Sequence, residues 1–385
     1  MRTLYYGDRG IRVAYLQTAL SKAGFPLNLD GIFGSRTCAA LKQYMGEERA
    51  CLADEKVWAG LFDYLKGYQR NDAGETVILP FEIVSGQVPY TAWLTDLVIE
   101  GLLIRYPFLE TGSIGKSVMG KEIPWLKIGR GPVSVFYNAS FHANESITTP
   151  VLLKFAEEYA KAYTEKGEIS GVNAQELFDR YTLYLVPLVN PDGVDLVNGW
   201  LDRGIYFRVA QEIGNRYPNI PFPSGWKANI EGVDLNLQFP AGWEEAKKIK
   251  AAQGYTSPAP RDFVGESPLE APESAAVYQF TKERDFSLIL AYHTQGEVIY
   301  WKYLDYEPQR SYEIAQYFGR VSGYTVEETP SVSGYAGYKD WFIQEYNRPG
   351  YTIEVGRGIN PLPMSQFDAI YEANRGILLG GMTQL

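Results

Sequence analysis

The chain has 385 residues, of which 45% are hydrophobic and 21% charged, and its formal net charge is -10. That is enough chain for two domains and a large buried core, with the composition of a folded rather than a disordered protein. An acidic balance without a basic cluster excludes nucleic acid and anionic membrane as main partners, and no run of ~18 apolar residues exists to span a bilayer.

The first eight residues, Met1 to Asp8, contain no apolar stretch, so no secretory signal is expected. Val13, Leu16, Leu20 and Ala23 then recur at helical spacing, with Gly24 as a stop. A glycine-flanked turn, Asp30-Gly31-Ile32-Phe33-Gly34, precedes a second helix over Thr37–Tyr44. A third is expected over Asp54–Leu65, with Val57, Trp58, Leu61 and Leu65 on one face. Residues 1–67 thus read as a small helical unit, more suited to binding than to catalysis. The two cysteines, Cys38 and Cys51, are too few for a four-cysteine metal site. Without a signal, reduced thiols are expected, with a Cys38–Cys51 bond as the alternative.

Residues 68–87 are polar and punctuated by glycine and proline, the pattern of a linker. From 88 to 385 strands and helices alternate. Strands are expected at Ser134–Ala139, Leu183–Val189, Ser287–Tyr292 and Tyr351–Val355. Helices are expected at Ala92–Tyr106, Thr148–Tyr163, Glu270–Arg284 and Ser311–Val321. Alternation of this kind predicts an α/β domain around one central sheet.

The chain holds only two histidines, His142 and His293, each at the end of a strongly apolar strand candidate. Strand carboxyl ends are where ligand sites assemble in α/β sheets. Glu145 follows His142 by three residues, close enough to converge with it at a helix start. Two histidines and a glutamate make a three-ligand zinc set with one coordination position left for water. Glu354 ends a fourth apolar strand candidate, where a carboxylate would serve as the base of a metal hydrolase. The alternative is that both histidines are hydrogen-bonded structural residues and Glu354 caps a loop.

Two resemblances sharpen these readings. Gly7-Asp8-Arg9-Gly10, Leu16-Gln17, Asp30 to Gly34 with Thr37, and Val57-Trp58-Ala59-Gly60-Leu61 resemble the peptidoglycan-binding domain of bacterial wall hydrolases. Residues from about 88 onward resemble the zinc carboxypeptidase superfamily. The resemblance runs through Ser113-Ile114-Gly115-Lys116-Ser117, His142-Ala143-Asn144-Glu145, Pro187 to Gly193, Gly232-Val233-Asp234-Leu235-Asn236, His293 and Glu354. A phosphate-loop reading of Gly115-Lys116-Ser117 fails, because the glycine required five residues earlier is Glu110.

The resemblance implies a mixed central sheet flanked by helices, preceded by a three-helix wall-binding-like domain. It implies one Zn²⁺ on His142, Glu145 and His293, with Glu354 as catalytic base and Asn236 as a substrate-binding residue. Departures from the family pattern carry information. Leu237 stands where family carboxypeptidases have an arginine that clamps a terminal carboxylate. The position of the family's closing tyrosine falls on Ile343, with Tyr335 and Tyr338 as substitutes. Lys227 replaces an arginine that stabilises the oxyanion, a point charge in place of a fork.

The blocks Phe141 to Pro150, Gly232 to Trp243, Ala291 to Trp301 and Tyr338 to Phe342 are similar to the bacterial γ-D-glutamyl-meso-diaminopimelate peptidase branch. That likeness implies peptidoglycan or muropeptide stem peptides as partners, cut at the γ-D-glutamyl–diaminopimelate bond. An ordinary carboxypeptidase and a zinc deacylase remain the alternative activities. The expected setting is the cytoplasm or a sporulating cell.

Overall fold

The computed structural model describes residues 1–46 and 51–385. The N-terminal unit begins with a short strand β1 (Leu4–Tyr5), followed by α1 (Ile11–Lys22) and α2 (Ser35–Met45). Strand β2 (Leu52–Ala53) pairs antiparallel with β1, and α3 (Glu55–Lys66) closes the unit. Asp54 caps α3 by accepting from Val57 N, which satisfies one orphan donor of the first turn. Gly67 ends it at φ 76°, a left-handed conformation that glycine adopts without a Cβ clash.

Cys38 and Cys51 form a disulfide, with Cα atoms 5.2 Å apart, which corrects the expectation of reduced thiols. Pairing β2 with β1 returns the chain to the flank of α2, and Cys51 O accepts from Tyr6 N. A sequence separation of 13 residues does not reveal that return.

Residues 68–87 contain a hairpin, β3 (Tyr68–Arg70) and β4 (Thr76–Ile78), and then a strap. Ile83 and Val84 of the strap are buried, and both of their N–H groups donate to the Glu157 carboxylate.

Helix α4 (Ala92–Arg105) leads into an antiparallel pair, β5 (Glu110–Lys116) and β6 (Glu122–Gly129). Then come β7 (Val133–Ala139), α5 (Thr148–Thr164), a small hairpin β8 (Glu168–Ile169) with β9 (Val172–Asn173), α6 (Ala174–Arg180) and β10 (Tyr181–Val186). A largely helical stretch follows, with α7 (Pro191–Val197), α8 (Ile205–Asn215), α9 (Trp243–Ala252) and α10 (Pro272–Lys282). The chain closes with β11 (Phe286–His293), β12 (Val298–Tyr300), α11 (Ser311–Ser322), β13 (Thr325–Glu327), α12 (Tyr338–Tyr346), β14 (Gly350–Glu354) and α13 (Phe367–Thr383).

Eight strands form one mixed sheet in the order β13-β12-β14-β11-β7-β10-β6-β5. Its centre is parallel: β10 with β7, β7 with β11, and β11 with β14. Side chains alternate between two cores, as the pleat requires. Tyr137, Leu290, Ile353 and Leu378 lie in one core, Phe136, Ile289 and Phe342 in the other. Each such fully buried large side chain contributes roughly 1.5–3 kcal/mol. The strand and helix candidates of the sequence fall on β7, β10, β11, β14, α4, α5, α10 and α11, with ends displaced by up to three residues.

Candidate active site

Three parallel central strands end at one place. His293 is the last residue of β11, and its Cα pairs in register with Glu354, the last residue of β14. His142 lies three residues beyond β7, after a turn in which Ser140 adopts φ 54°. That left-handed conformation costs a non-glycine residue roughly 1–3 kcal/mol. Hydrogen bonds hold it: Ser140 N donates to Thr148 Oγ1 at 3.1 Å, and Ser140 Oγ lies 2.8 Å from Thr149 Oγ1. The turn aims His142 and the short 3-10 helix Ala143–Glu145 at the end of β11.

The donor atoms converge. Glu145 Oε1 lies 3.0 Å from His142 Nδ1, and Glu145 Oε2 lies 3.0 Å from His293 Nδ1. The two Nδ1 atoms are 3.2 Å apart, and all three residues are buried. Ligands bound at the usual zinc distance in a tetrahedron sit roughly 3.3 Å from one another. The donor set therefore fits a zinc ion in both chemistry and spacing.

The outer shell is built as well. His142 Nε2 pairs with Asp234 Oδ1 at 3.1 Å. Asp234 is fixed in turn by the N–H groups of Asn236 and Asp262. Thr294 N donates to Glu145 Oε2 at 3.2 Å. Asp234 lies in the Gly232–Asn236 block, and its carboxylate stands behind the histidine. Its separation of 92 residues from His142 leaves no local signal of that pairing.

Electrostatics at this point are strong. Burial lowers the affinity of His142 for its proton, yet the charges of Glu145 and Asp234 outweigh it and lift the imidazole to about 9. Burial also opposes ionisation of Glu145, but His142 and Lys227 hold it well below its ordinary range. Glu354 is pushed the other way: burial first, then the charge of Glu145, raise its carboxyl to about 8.

Lys227 reaches into the cavity, with Nζ 3.5 Å from Glu145 Oε1. Asn236 lines the same cavity, and its Oδ1 accepts from Tyr338 N at 3.0 Å. Leu237 forms part of the wall. Tyr338 and Ile343 are fully buried, and the Tyr338 hydroxyl lies 3.0 Å from Thr281 Oγ1 in the core. Tyr335 packs against Trp243 and Leu237 in a side cluster. The phenol that does face the cavity is Tyr300 on β12, close enough to Glu354 to feel its charge. Arg261, Asp262, Lys250, Lys339 and Asp340 complete the charged lining of a cavity of about 260 Å³. A larger cleft of about 730 Å³ lies between the strap, α5 and α13, away from the converging donors.

Fold and donor set define a zinc metallopeptidase. Residues 96–376 match the zinc carboxypeptidase family model, and the chain belongs to that family. It is 46% identical over 305 residues to γ-D-glutamyl-L-diamino acid endopeptidase 1 of Lysinibacillus sphaericus, covering 79% of this chain and 75% of that one. It is 45% identical over 283 residues to the uncharacterized protein YqgT of Bacillus subtilis, covering 73% of each. Among solved structures, the fold matches thrombin-activatable fibrinolysis inhibitor with a TM-score of 0.58 at 16% identity, over 78% of this chain and 75% of that one. It also matches carboxypeptidase A of Helicoverpa armigera with a TM-score of 0.54 at 21% identity, over 85% and 80%. The metal of the family is zinc.

Proposed function

We propose that this protein hydrolyses the amide between γ-D-glutamate and meso-diaminopimelate in peptidoglycan stem peptides. The observation that carries this reading is the cavity wall at Asn236-Leu237. Beside a complete metallopeptidase donor set, an apolar side chain stands where a terminal-carboxylate clamp belongs. A substrate with no free carboxylate directly after the cut is therefore admitted, and both endo- and carboxypeptidase cuts are open. The relative from Lysinibacillus sphaericus, named for a γ-D-glutamyl-L-diamino acid bond, supports the same substrate class.

In this reading His142, Glu145 and His293 hold the zinc. When bound, zinc supplies a Lewis acid that polarises the scissile carbonyl and makes water more acidic. Glu354 accepts the proton of the attacking water and passes it to the leaving amine. Burial favours the protonated form of this carboxyl, which suits a group that takes and then returns a proton. The Lys227 ammonium faces the developing oxyanion, and Asn236 orients the substrate. The N-terminal unit, residues 1–67, serves as the wall-binding part, and residues 88–385 as the catalytic part. Action on stem peptides in the cytoplasm or in a sporulating cell completes the proposal.

The test is hydrolysis of L-Ala-γ-D-Glu-meso-diaminopimelate followed by mass spectrometry, with and without chelator. Release of diaminopimelate, lost with chelator and restored by zinc, is expected. Cleavage of a simple L-peptide or of an acylated amino acid instead would move the assignment to a carboxypeptidase or a deacylase. Glu354→Gln is expected to lower kcat about 10²–10⁴-fold while the protein still takes up one zinc. Near-normal turnover in that variant would remove Glu354 from the role.

A further inference from the structure

The cavity wall holds a cation that hydrolysis as described does not use. Arg261 lines the cavity with Lys227 and Glu354, and 43% of its side chain is open. Its Nε–H donates to Asp262 Oδ2 at 2.5 Å. A guanidinium carries five N–H donors, and those on the two terminal nitrogens of Arg261 meet no acceptor among the described residues. Asp262 does not depend on this arginine for a partner, because Lys250 Nζ already donates to its Oδ1 at 2.6 Å. Other charges of the lining are matched: Asp234 holds His142, Lys227 faces Glu145, and Lys339 pairs with Asp340.

The segment that carries Arg261 is tied to the catalytic residues. Pro260 O accepts from Lys227 N at 2.7 Å and from Ala228 N at 3.0 Å. Asp262 adopts φ 65°, a left-handed conformation that a non-glycine residue keeps only where its surroundings impose it, and its N–H donates to Asp234 Oδ2 at 3.1 Å. Arg261 therefore enters the site beside Lys227, whereas Asn236 is bonded to α12 through Tyr338 N. The two cations are near enough for Arg261 to oppose the charge on Lys227. Lys227 faces the oxygen of the scissile carbonyl, which belongs to the acyl residue of the substrate. A second cation held beside it meets what that same residue carries.

We propose that Arg261 reads the free α-carboxylate of the γ-linked D-glutamate on the acyl side of the cut, and that stem peptides amidated at this carboxyl are refused. The inference rests on the peptidase reading above and adds to it a residue that senses the chemical state of the glutamate. In a γ-linked glutamyl residue, two methylenes and the α-carbon separate the scissile carbonyl from a carboxylate. The substrate thus offers a developing oxyanion and a fixed anion to two adjacent cations. A guanidinium fork matches a carboxylate with two parallel N–H bonds, which an ammonium does not. Amidation removes the charge and turns one acceptor into a donor that faces the N–H groups of Arg261. Sites built to hydrogen-bond a polar group reject analogues that lack it.

Two measurements test this. The first needs no variant: kcat/KM of the zinc-loaded wild-type protein on L-Ala-γ-D-Glu-meso-diaminopimelate and on the same tripeptide with D-isoglutamine in place of D-glutamate. The free acid is expected to be preferred by about tenfold or more. The second repeats the comparison in Arg261→Leu and Arg261→Lys. In Arg261→Leu, kcat/KM on the acid is expected to fall by about tenfold or more while the amide is cleaved as before, so that the preference closes. Arg261→Lys, which keeps the charge and loses the fork, is expected to restore part of it. An arginine that only braces Asp262, and through it Asp234 and His142, would lower both substrates equally and weaken zinc binding, and that result would sink the inference. If the variants do not fold, the wild-type comparison decides. A wild-type protein that cleaves neither tripeptide overturns the peptidase reading and the inference with it, whereas one that cleaves both equally well overturns the role of Arg261 alone.

Discussion

His142 is gripped from both sides, by Glu145 at Nδ1 and by Asp234 at Nε2. The second grip fixes ring orientation and leaves Nδ1 pointing at His293. Partners of this kind typically account for 10–100-fold in metal affinity. Asp234→Asn is accordingly expected to weaken zinc binding by about 10–100-fold, read by competition with a chromogenic chelator. A variant that binds zinc as tightly as the wild type would show that the carboxylate does not tune the site. Lys227 makes a different demand. Its ammonium is held charged because Glu145 and Asp234 overcome the burial that opposes it. Lys227→Met is expected to lower kcat by about 10²–10³-fold with a smaller change in KM, the pattern for a group that acts on charge developing in the transition state. Steady-state kinetics on the stem tripeptide read both constants. An effect confined to KM would make Lys227 a ground-state binder instead.

Elements differ in how plainly the sequence announces them, and the reason is burial. β7, β10, β11 and β14 are covered on both faces, so they stand out as apolar runs, and the chemistry at their ends is legible with them. His142, His293 and Glu354 were visible because a polar residue closing an apolar run is conspicuous. β5 and β6 are half exposed, with several glycines and charged residues in their fifteen-residue course, and their pairing left no such pattern. Asp234, Tyr300 and Arg261 reach the site from irregular segments or from the three-residue strand β12, where nothing local marks which way a side chain faces. Helix α10 carries a further hidden charge. Glu273 is fully buried beneath the Val118 and Asn229 donors, and burial raises its carboxyl from 4.5 to about 7 against those hydrogen bonds. Between those two values the unfolded chain has released a proton that the folded chain keeps. Stability therefore falls as pH rises from about 4.5 to 7, by on the order of 3 kcal/mol, and the loss is complete above 7. Glu273→Gln should flatten that part of the profile. Urea unfolding of both proteins at pH 5 and pH 8 measures it, because any fixed cost of the amide cancels between the two pH values. Parallel profiles would mean that Glu273 is already ionised in the fold.

At the scale of the whole molecule the N-terminal helices are seated against the sheet domain, not suspended from it. Tyr15 and Phe62 pack on Trp93, which stacks on Trp200 with ring centroids 5.2 Å apart, and Arg12 lies over Trp200 while donating to its carbonyl. The Tyr15 hydroxyl donates to Pro89 O at 2.8 Å. The strap between the two parts is fastened at several points. Lys22 donates to Glu82 O and Ile83 O, and Arg105 to Phe81 O, Leu79 O and Gly67 O. One buried apolar cluster runs without interruption from Leu4 to Met382. Two parts that share a core in this way lose their packing together, so heating should give one calorimetric transition whose van't Hoff and calorimetric enthalpies agree. The contact between α3 and α4 offers a way to break that coupling. At Gly101 a Cβ would collide with the carbonyl of Lys66, and because that obstacle is backbone it cannot swing aside. Gly101→Ala gains helix propensity of about 1 kcal/mol, yet the forced separation of α3 from α4 should cost about 1–3 kcal/mol as overpacking does. A lower melting temperature and a transition that splits into two are expected, with the metal site intact in the second. A Gly101→Ala protein that melts as high as the wild type, in one step, would show that α3 and α4 dock loosely enough to yield without breaking the shared core.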